Sequence, residues 1–306
     1  MKGLELSRLY WEQVGKRALF DACPGIEEYA AVGLAGEGSD CFGYDDELSR
    51  DHDWGPGFCV WLDDEGMERY GAAAAQVYAS LDKEFMGFRR MNETEQTAGR
   101  MGVHRIGDFL LRYLGTDRVP SSIYEWRRVP ETGLSVVTNG RIFLDKSGKF
   151  TAVREELSRF YPEALRLKKL ASHCALAAQS GQYNYLRCFR RGEGVAALLA
   201  LAEFTEHVQA AVFLINRAYK PYYKWANRRM RELPILGAEI ASALEGLTVG
   251  SGNKAEKIER ISAMLIEALV REGLSDSKSD YLLHHAESIQ SAVDDAELRS
   301  LHIMSE

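Results

Sequence analysis

Hydrophobic and polar residues are arranged differently in the two halves of the chain. In the first half, residues 4–21 repeat apolar positions at helical spacing and predict an amphipathic helix. The short apolar runs Tyr29–Leu34 and Phe58–Leu62 are bounded by polar or glycine-containing segments and predict strands. Residues 65–90 are rich in alanine and favour a helix. The first half therefore mixes strands and helices.

Three further patterns complete the first half. The stretch Gly102–Ile106 predicts a strand, and Asp108–Leu114 predicts a helix. The apolar runs Leu134–Val137 and Arg141–Leu144 flank an Asn-Gly pair at 139–140. Because Asn-Gly adopts the tight turn that joins neighbouring strands, this pattern predicts a β-hairpin.

Strand patterns stop near residue 150, and only helical patterns separated by proline and glycine follow. Five stretches have the helical pattern: Phe150–Phe160, Pro162–Gln179, Val195–Tyr219, Tyr222–Leu233 and Ala255–Glu272. The sequence therefore predicts an α+β fold class. A mixed sheet with flanking helices would occupy residues 1–150, and an all-helical bundle domain would occupy residues 151–306.

Composition and charge are those of a globular protein with room for two cores. The chain has 306 residues, 46% hydrophobic and 27% charged, and a formal net charge of −7. The negative charge disfavours non-specific binding to nucleic acid. No uninterrupted apolar run reaches the roughly eighteen residues that cross a bilayer, and the charged N-terminal segment is not typical of a secretory signal.

Five cysteines are scattered along the chain without a CxxC motif: Cys23, Cys41, Cys59, Cys174 and Cys188. This spacing favours buried free thiols over a zinc site or a disulfide framework. Together with the missing membrane and export signals, it predicts a cytoplasmic protein.

Residues 36–56, GEGSDCFGYDDELSRDHDWGP, contain a pattern that an ordinary surface loop does not need. Gly38 and Ser39 follow a predicted strand, where unpaired backbone N–H groups can hold a phosphate. Asp51 and Asp53 stand at the entry to the next predicted strand and would share one face of it. Two adjacent carboxylates repel each other unless a cation neutralises them, and Mg²⁺ or Mn²⁺ is the usual partner.

A phosphate cradle opposite a pair of metal-binding acids suits nucleotidyl transfer. The stretch resembles the signature of the polymerase-β-type nucleotidyltransferase superfamily, especially its minimal and aminoglycoside-type members. Four residues match that signature: Gly38, Ser39, Asp51 and Asp53. The acids between them, at 45–47, are predicted to form a solvated loop.

Over most of its length the chain is similar to bacterial proteins that join such a domain to a helical domain of unknown function. Three segments carry the similarity: TNGRIFLDKSGKFTAVREEL, GQYNYLRCFRR and YKPYYKWANRRMRELP. The resemblance implies a nucleotidyltransferase-like fold for the first domain and a helical domain that selects the acceptor.

The superfamily usually supplies a third carboxylate from a later strand. Here the corresponding strand is predicted to be Gly102–Ile106, which offers His104 as a general base instead. Asp108, Glu125 and Asp145 are the alternatives for the third acid.

The second half adds five candidates, in the segments GQYNYLRCFRR and YKPYYKWANRRMRELP. Gln182, Asn184 and Tyr223 are predicted to line a cleft or contact the acceptor. Arg187 and Lys224 are predicted to contact phosphates, although an ordinary solvated basic face would give the same pattern.

These observations predict a metal-dependent enzyme that moves a nucleoside monophosphate from an NTP, with ATP as the first choice, to an acceptor hydroxyl. The acceptor, a small molecule or a macromolecule, is open, and neither a membrane nor nucleic acid is expected as a partner. The helical faces leave room for a homodimer. The alternative is a regulatory module that keeps the fold, binds a nucleotide or partner, and has lost catalysis.

Overall fold

The structure, a computed structural model, describes residues 1–50, 54–90, 99–250 and 252–306. The chain divides into two compact units, here called unit 1 and unit 2. Unit 1 comprises Met1–Ser121 and Arg128–Arg159, and unit 2 comprises Ser122–Arg127 and Phe160–Glu306.

The elements up to residue 159 include both helices and strands. In chain order they are α1 (Gly3–Tyr10), a π-helical segment (Trp11–Gly15), α2 (Lys16–Ala22), β1 (Ala30–Leu34), β2 (Cys59–Leu62), α3 (Asp64–Ser80), β3 (Glu84–Phe85), β4 (Phe88–Arg89), β5 (Gly102–Arg105), α4 (Ile106–Leu114), α5 (Ile123–Arg128), α6 (Glu131–Thr138), β6 (Arg141–Asp145) and α7 (Lys149–Ser158). Short 3₁₀ turns occupy Ile26–Glu28 and Leu48–Arg50.

Four strands of unit 1 form a mixed sheet in the order β5-β2-β1-β6. β1 is antiparallel to both neighbours, with Ala31 opposite Trp61 on β2 and Asp145 on β6. β2 and β5 are parallel and pair Trp61 with His104. The two central strands, β1 and β2, are buried along their whole length, which explains their continuous apolar runs. This sheet with its helices confirms the predicted α+β class.

Side chains cover both faces of the sheet. Val32 and Val60 pack into a core with Tyr10 of α1. On the neighbouring positions of the strands, Trp61 stacks on Phe150 of α7 with ring centroids 4.4 Å apart. Since successive strand residues point to opposite faces, the sheet is buried on both sides and its loops are the parts left to carry chemistry.

The helix predicted over residues 4–21 is confirmed as α1 and α2, which the π-helical segment joins. The helix predicted over residues 65–90 is right only as far as Ser80. The residues after it include a two-stranded hairpin, β3 paired with β4. Gly87 lies at its turn with a φ of 79°, a conformation that favours glycine and ends the helical pattern.

The predicted hairpin around residues 139–140 is wrong. Residues 134–137 belong to helix α6, and β6 pairs with β1 instead. Leu134 and Val137 are fully buried at helical spacing, so core packing decides the structure of a short run whose valines alone favour a strand. Gly140 does turn the chain, with a φ of 68°, but the turn joins a helix to a strand.

Unit 2 contains only helices within its described residues. In chain order they are α8 (Glu163–Ala177), a π-helical segment (Ala178–Tyr185), α9 (Leu186–Arg190), α10 (Gly194–Ile215), α11 (Tyr223–Met230), α12 (Gly237–Thr248), α13 (Lys254–Arg271), α14 (Leu282–Ser291) and α15 (Ala296–Ser300), in addition to the α5 residues. α8 packs against α10 and α14 at the centre of the unit. The predicted all-helical second half is confirmed, and α9, α12, α14 and α15 lie outside the five stretches given in the sequence analysis.

The helix α10 is the segment that bears on the expectation about membrane segments. Among the described residues, one helix, α10, is both long enough and apolar enough to cross a bilayer. Most of its apolar window is buried inside the protein, as is also the case in the core helix of a soluble protein.

Candidate functional site

The loop after β1 contains the two residues predicted to hold a phosphate. We call residues 36–44 the glycine loop. Two short-range bonds fold it tightly: the N–H of Cys41 donates to the Gly38 carbonyl at 3.1 Å, and the N–H of Tyr44 donates to the Ser39 carbonyl at 2.8 Å. Gly38 and Ser39 are half-buried and stand at the start of these turns.

Three consecutive backbone donors of the glycine loop have no acceptor. Within the part of the chain that the structure describes, the N–H groups of Glu37, Gly38 and Ser39 donate no hydrogen bond. Glu37 is exposed, so these donors lie at the surface end of β1. Successive free N–H groups in a turn are suited to binding an anion.

The Thr138-Asn139-Gly140 turn holds the glycine loop in place. The Asn139 side chain accepts from the Gly36 N–H at 3.2 Å and donates to the Gly36 carbonyl at 2.8 Å. The N–H of Gly140 donates to the Cys41 carbonyl at 3.1 Å. Arg154 of α7 braces the turn through the carbonyl of Thr138 at 3.0 Å. The Asn-Gly pattern therefore positions the predicted phosphate loop rather than a hairpin.

A buried ion pair lies directly against Gly38. Arg100 pairs with Asp40, and their side chains are 10% and 2% exposed. A Cβ atom on Gly38 would overlap both the guanidinium and the carboxylate, so only glycine permits this approach. Burial lowers the pKa of Arg100, but Asp40 and Cys41 raise it by more, and the guanidinium stays charged.

The thiols beside this pair are not nucleophiles. Cys41 and Cys59 are free and buried, as predicted. Burial raises the pKa of Cys41 and raises that of Cys59 to about 12. Both are therefore protonated at neutral pH.

Asp45 is buried, which corrects the prediction that residues 45–47 form a solvated loop. The Asp45 carboxylate accepts from the Gly3 N–H at 2.8 Å and from the Trp54 indole at 3.1 Å. Lys2 lies 4.0 Å from its second oxygen. Only Asp46 and Glu47 are exposed, as expected. Asp45 thus ties the start of α1 to the residue that follows the predicted metal ligands.

The predicted metal ligands Asp51 and Asp53 lie outside the described residues. The segment that follows, residues 54–58, is irregular and buried, and β2 begins at Cys59. Across the described ranges no three His, Cys, Asp or Glu side chains come close enough to hold a metal ion. The metal site therefore stays a prediction.

His104 lies on β5, as the strand assignment predicted. Burial lowers its pKa to about 4, with Arg112 adding to the effect and Asp108 opposing it. The ring is therefore neutral at neutral pH, and its centroid lies 6.0 Å from that of Phe109. A neutral imidazole cannot provide the charge of a third carboxylate.

The three alternative acids occupy different places. Asp108 is exposed at the start of α4, and Glu125 lies on α5 in unit 2. Asp145 accepts from the N–H groups of Gly148 and Thr151 at 2.9 and 2.8 Å. It therefore caps helix α7.

The unit 2 candidates form local contacts of their own. Gln182 donates to Glu259 at 2.7 Å and accepts from the N–H of Leu282 at 2.9 Å, so it joins helices within the unit. The guanidinium of Arg187 lies 4.3 Å from the Tyr183 ring centroid.

The remaining three candidates also belong to unit 2. The Lys224 ammonium lies 5.4 Å from the Trp225 ring centroid. Tyr223 is exposed and Asn184 is half-buried. Their predicted contacts with acceptor or phosphate stay predictions.

A family model for a domain of unknown function (DUF4037) matches residues 126–226. The comparison with curated proteins gives no match. A crystal structure of a nucleotidyltransferase-like protein from Exiguobacterium sibiricum 255-15 is similar, with 15% sequence identity, a TM-score of 0.36, and coverage of 87% of this chain and 76% of that chain. A TM-score this low does not establish a common fold.

Proposed function

We propose that the chain is a nucleotidyltransferase that moves a nucleoside monophosphate from an NTP, with ATP as the first choice, to an acceptor hydroxyl. The observation that carries the proposal is the row of free N–H groups at Glu37, Gly38 and Ser39. The charged Arg100 lies against the same loop. Backbone donors and a guanidinium together are the usual partners of a phosphate.

The proposed roles of the acids follow from their position in the chain. Asp51 and Asp53 would hold Mg²⁺ or Mn²⁺, which when bound would neutralise charge on the triphosphate. The glycine loop would fix the phosphates so that the acceptor oxygen attacks the α-phosphorus and pyrophosphate leaves. Asp45 supports this arrangement because it anchors Trp54, directly after Asp53.

Binding is tested first by thermal shift with each of the four NTPs, with and without Mg²⁺. A ligand at about a hundred times its dissociation constant contributes about 2.7 kcal/mol to stability, which is a measurable shift. We expect wild type and Glu47→Gln to respond and Asp53→Asn to lose the Mg²⁺-dependent part. Glu47 is the matched control because it is an exposed acid in the same stretch. No response to any NTP would contradict the proposal.

A second candidate function is a nucleotide-binding module without catalysis. The neutral, partly buried His104, at the position expected for the third acid, favours it. Pyrophosphate release from the bound NTP, measured with a small-molecule cell extract as the source of acceptors, separates the two. Release that disappears in Asp53→Asn supports the transferase. Tight binding without release supports the module.

A further inference from the structure

Unit 2 exposes an apolar surface that its own fold does not cover. Phe189 of α9 and Val195, Leu198 and Leu199 of α10 are each between 60% and 76% exposed. Single exposed apolar residues are ordinary, but a contiguous set marks an interaction surface.

The exposed residues of α10 share one side of the helix. Val195, Leu198, Leu199 and Ala202 follow the i, i+3, i+4, i+7 spacing of a helical face. The other side of the helix, which includes Phe204, is buried in the core of unit 2. α10 is therefore apolar on two sides, and we call the exposed one the α10 face.

Charges of opposite sign lie at the two ends of the α10 face. Arg190 and Arg191 are exposed shortly before α10, with the exposed Glu193 between them and the helix, and Glu203 and Glu206 follow the apolar residues. Glu206 is paired with Lys220. Among the described residues, no ion pair involves Arg190, Arg191 or Glu203.

This order of charges makes the α10 face complementary to the same face of a second copy of the chain. Arg191 and Glu203 are equally distant in sequence from position 197, next to Leu198 at the centre of the apolar residues. When two such faces meet in antiparallel orientation, each basic end lies opposite an acidic end and the apolar residues meet in the middle. A bilayer would instead have to accept the carboxylates of Glu203 and Glu206, which is unfavourable.

We propose that the α10 face is the interface of a homodimer. Two copies of α10 cross in antiparallel orientation about a twofold axis near Leu198. Arg190 and Arg191 of each copy then face Glu203 of the other, and Phe189 extends the apolar contact.

The mass of the full chain in solution tests this interface. Sedimentation velocity up to about 200 μM should show a dimer, since a micromolar complex is then formed almost completely. Leu198→Glu places a charge at the centre of the interface and should give a monomer with an unchanged circular dichroism spectrum. Leu111→Glu is the matched control, because Leu111 is also an exposed helical leucine, and it should stay dimeric.

Charge reversal tests the antiparallel orientation. Glu203→Arg alone should raise the dissociation constant by up to about fivefold per ion pair lost. Combining it with Arg190→Glu and Arg191→Glu should restore the wild-type value.

Three results would each overturn the proposal: a monomeric wild type, a dimeric Leu198→Glu variant, or a triple variant that dimerises more weakly than Glu203→Arg. Binding of wild type to anionic vesicles through Leu198 would replace it with a membrane surface.

Discussion

At the residue scale, the pair Arg100–Asp40 shows how strongly one contact constrains the candidate site. The Asp40 carboxylate is 2% exposed, so it depends on the guanidinium for compensation. We expect Arg100→Met to lower the free energy of unfolding by about 3–5 kcal/mol, the cost of leaving a buried charge unpaired. Urea denaturation measures this loss.

The double variant Arg100→Met/Asp40→Leu is the control for that prediction. It removes both charges, and we expect it to recover most of the lost stability because no unpaired charge is left in the core. Equal stabilities of the single and double variants would show that the pair is not coupled as the structure describes.

Local patterns at single residues reveal the glycine loop but not its surroundings. That Gly38 and Ser39 follow a buried strand can be predicted, because an apolar run ending in glycine is visible in the sequence. The pairing of Arg100 with Asp40 joins residues 60 positions apart. No local hydrophobic pattern in the sequence predicts such a contact. Asp45 was predicted to be solvated because acidic runs usually are, and only the fold places the Trp54 indole and the Gly3 N–H beside it.

At the element scale, the turn between α6 and β6 supports the glycine loop through one side chain. Asn139→Ala removes both hydrogen bonds to Gly36. We expect a loss of about 1–3 kcal/mol in stability and weaker ATP binding, because the free N–H groups are then no longer held in one arrangement. Calorimetric titration with ATP measures the second effect.

Asn253→Ala is the matched control for this turn. Asn253 caps α13 in unit 2 by accepting from the Ala255 N–H at 3.0 Å, so its loss should cost about 1 kcal/mol. ATP binding should not change. If both variants weakened ATP binding equally, the effect would come from general destabilisation and not from the turn.

The same turn explains where element prediction fails. An Asn-Gly pair specifies a reversal of the chain, and the reversal is present. Whether the flanking run is a strand or a helix depends on burial, and Leu134 and Val137 are both fully buried at a spacing of three. Four residues are too few for their period to be read from the sequence alone.

At the scale of the whole molecule, a buried lysine joins distant parts of unit 2. Lys168 of α8 is fully buried and donates to Gln290 and to the carbonyls of His302 and Ile303 at 3.0, 3.0 and 3.1 Å. Lys168→Met leaves these acceptors unpaired, and we expect a loss of about 2 kcal/mol or more. Lys16→Met, an exposed helical lysine, is the control.

Hydrogen exchange locates the effect of Lys168→Met. Faster exchange should be confined to unit 2, with the largest change at residues 302–306, because the segment loses its anchor while the core of unit 1 is untouched. Equal acceleration in the sheet of unit 1 would contradict the division into two separately packed units.

Each unit contains a partly buried histidine, His104 or His207, whose surroundings oppose protonation, so acid should destabilise both units. Burial lowers the pKa values of His104 and His207 from 6.5 to about 4, with His173 adding to the effect at His207. Between those values the unfolded chain binds protons that the folded chain does not. Stability is therefore complete above pH 6.5 and falls as the pH drops toward 4, by up to about 3 kcal/mol per histidine.

The two histidines can be separated because they lie in different units. His104→Gln and His207→Gln should each flatten the decrease of the unfolding free energy between pH 6.5 and 4. Because they belong to different units, the double variant should show the sum of the two effects. An NMR titration of the ring signals gives the independent measurement, and either ring titrating near its ordinary value would contradict its burial in the folded chain.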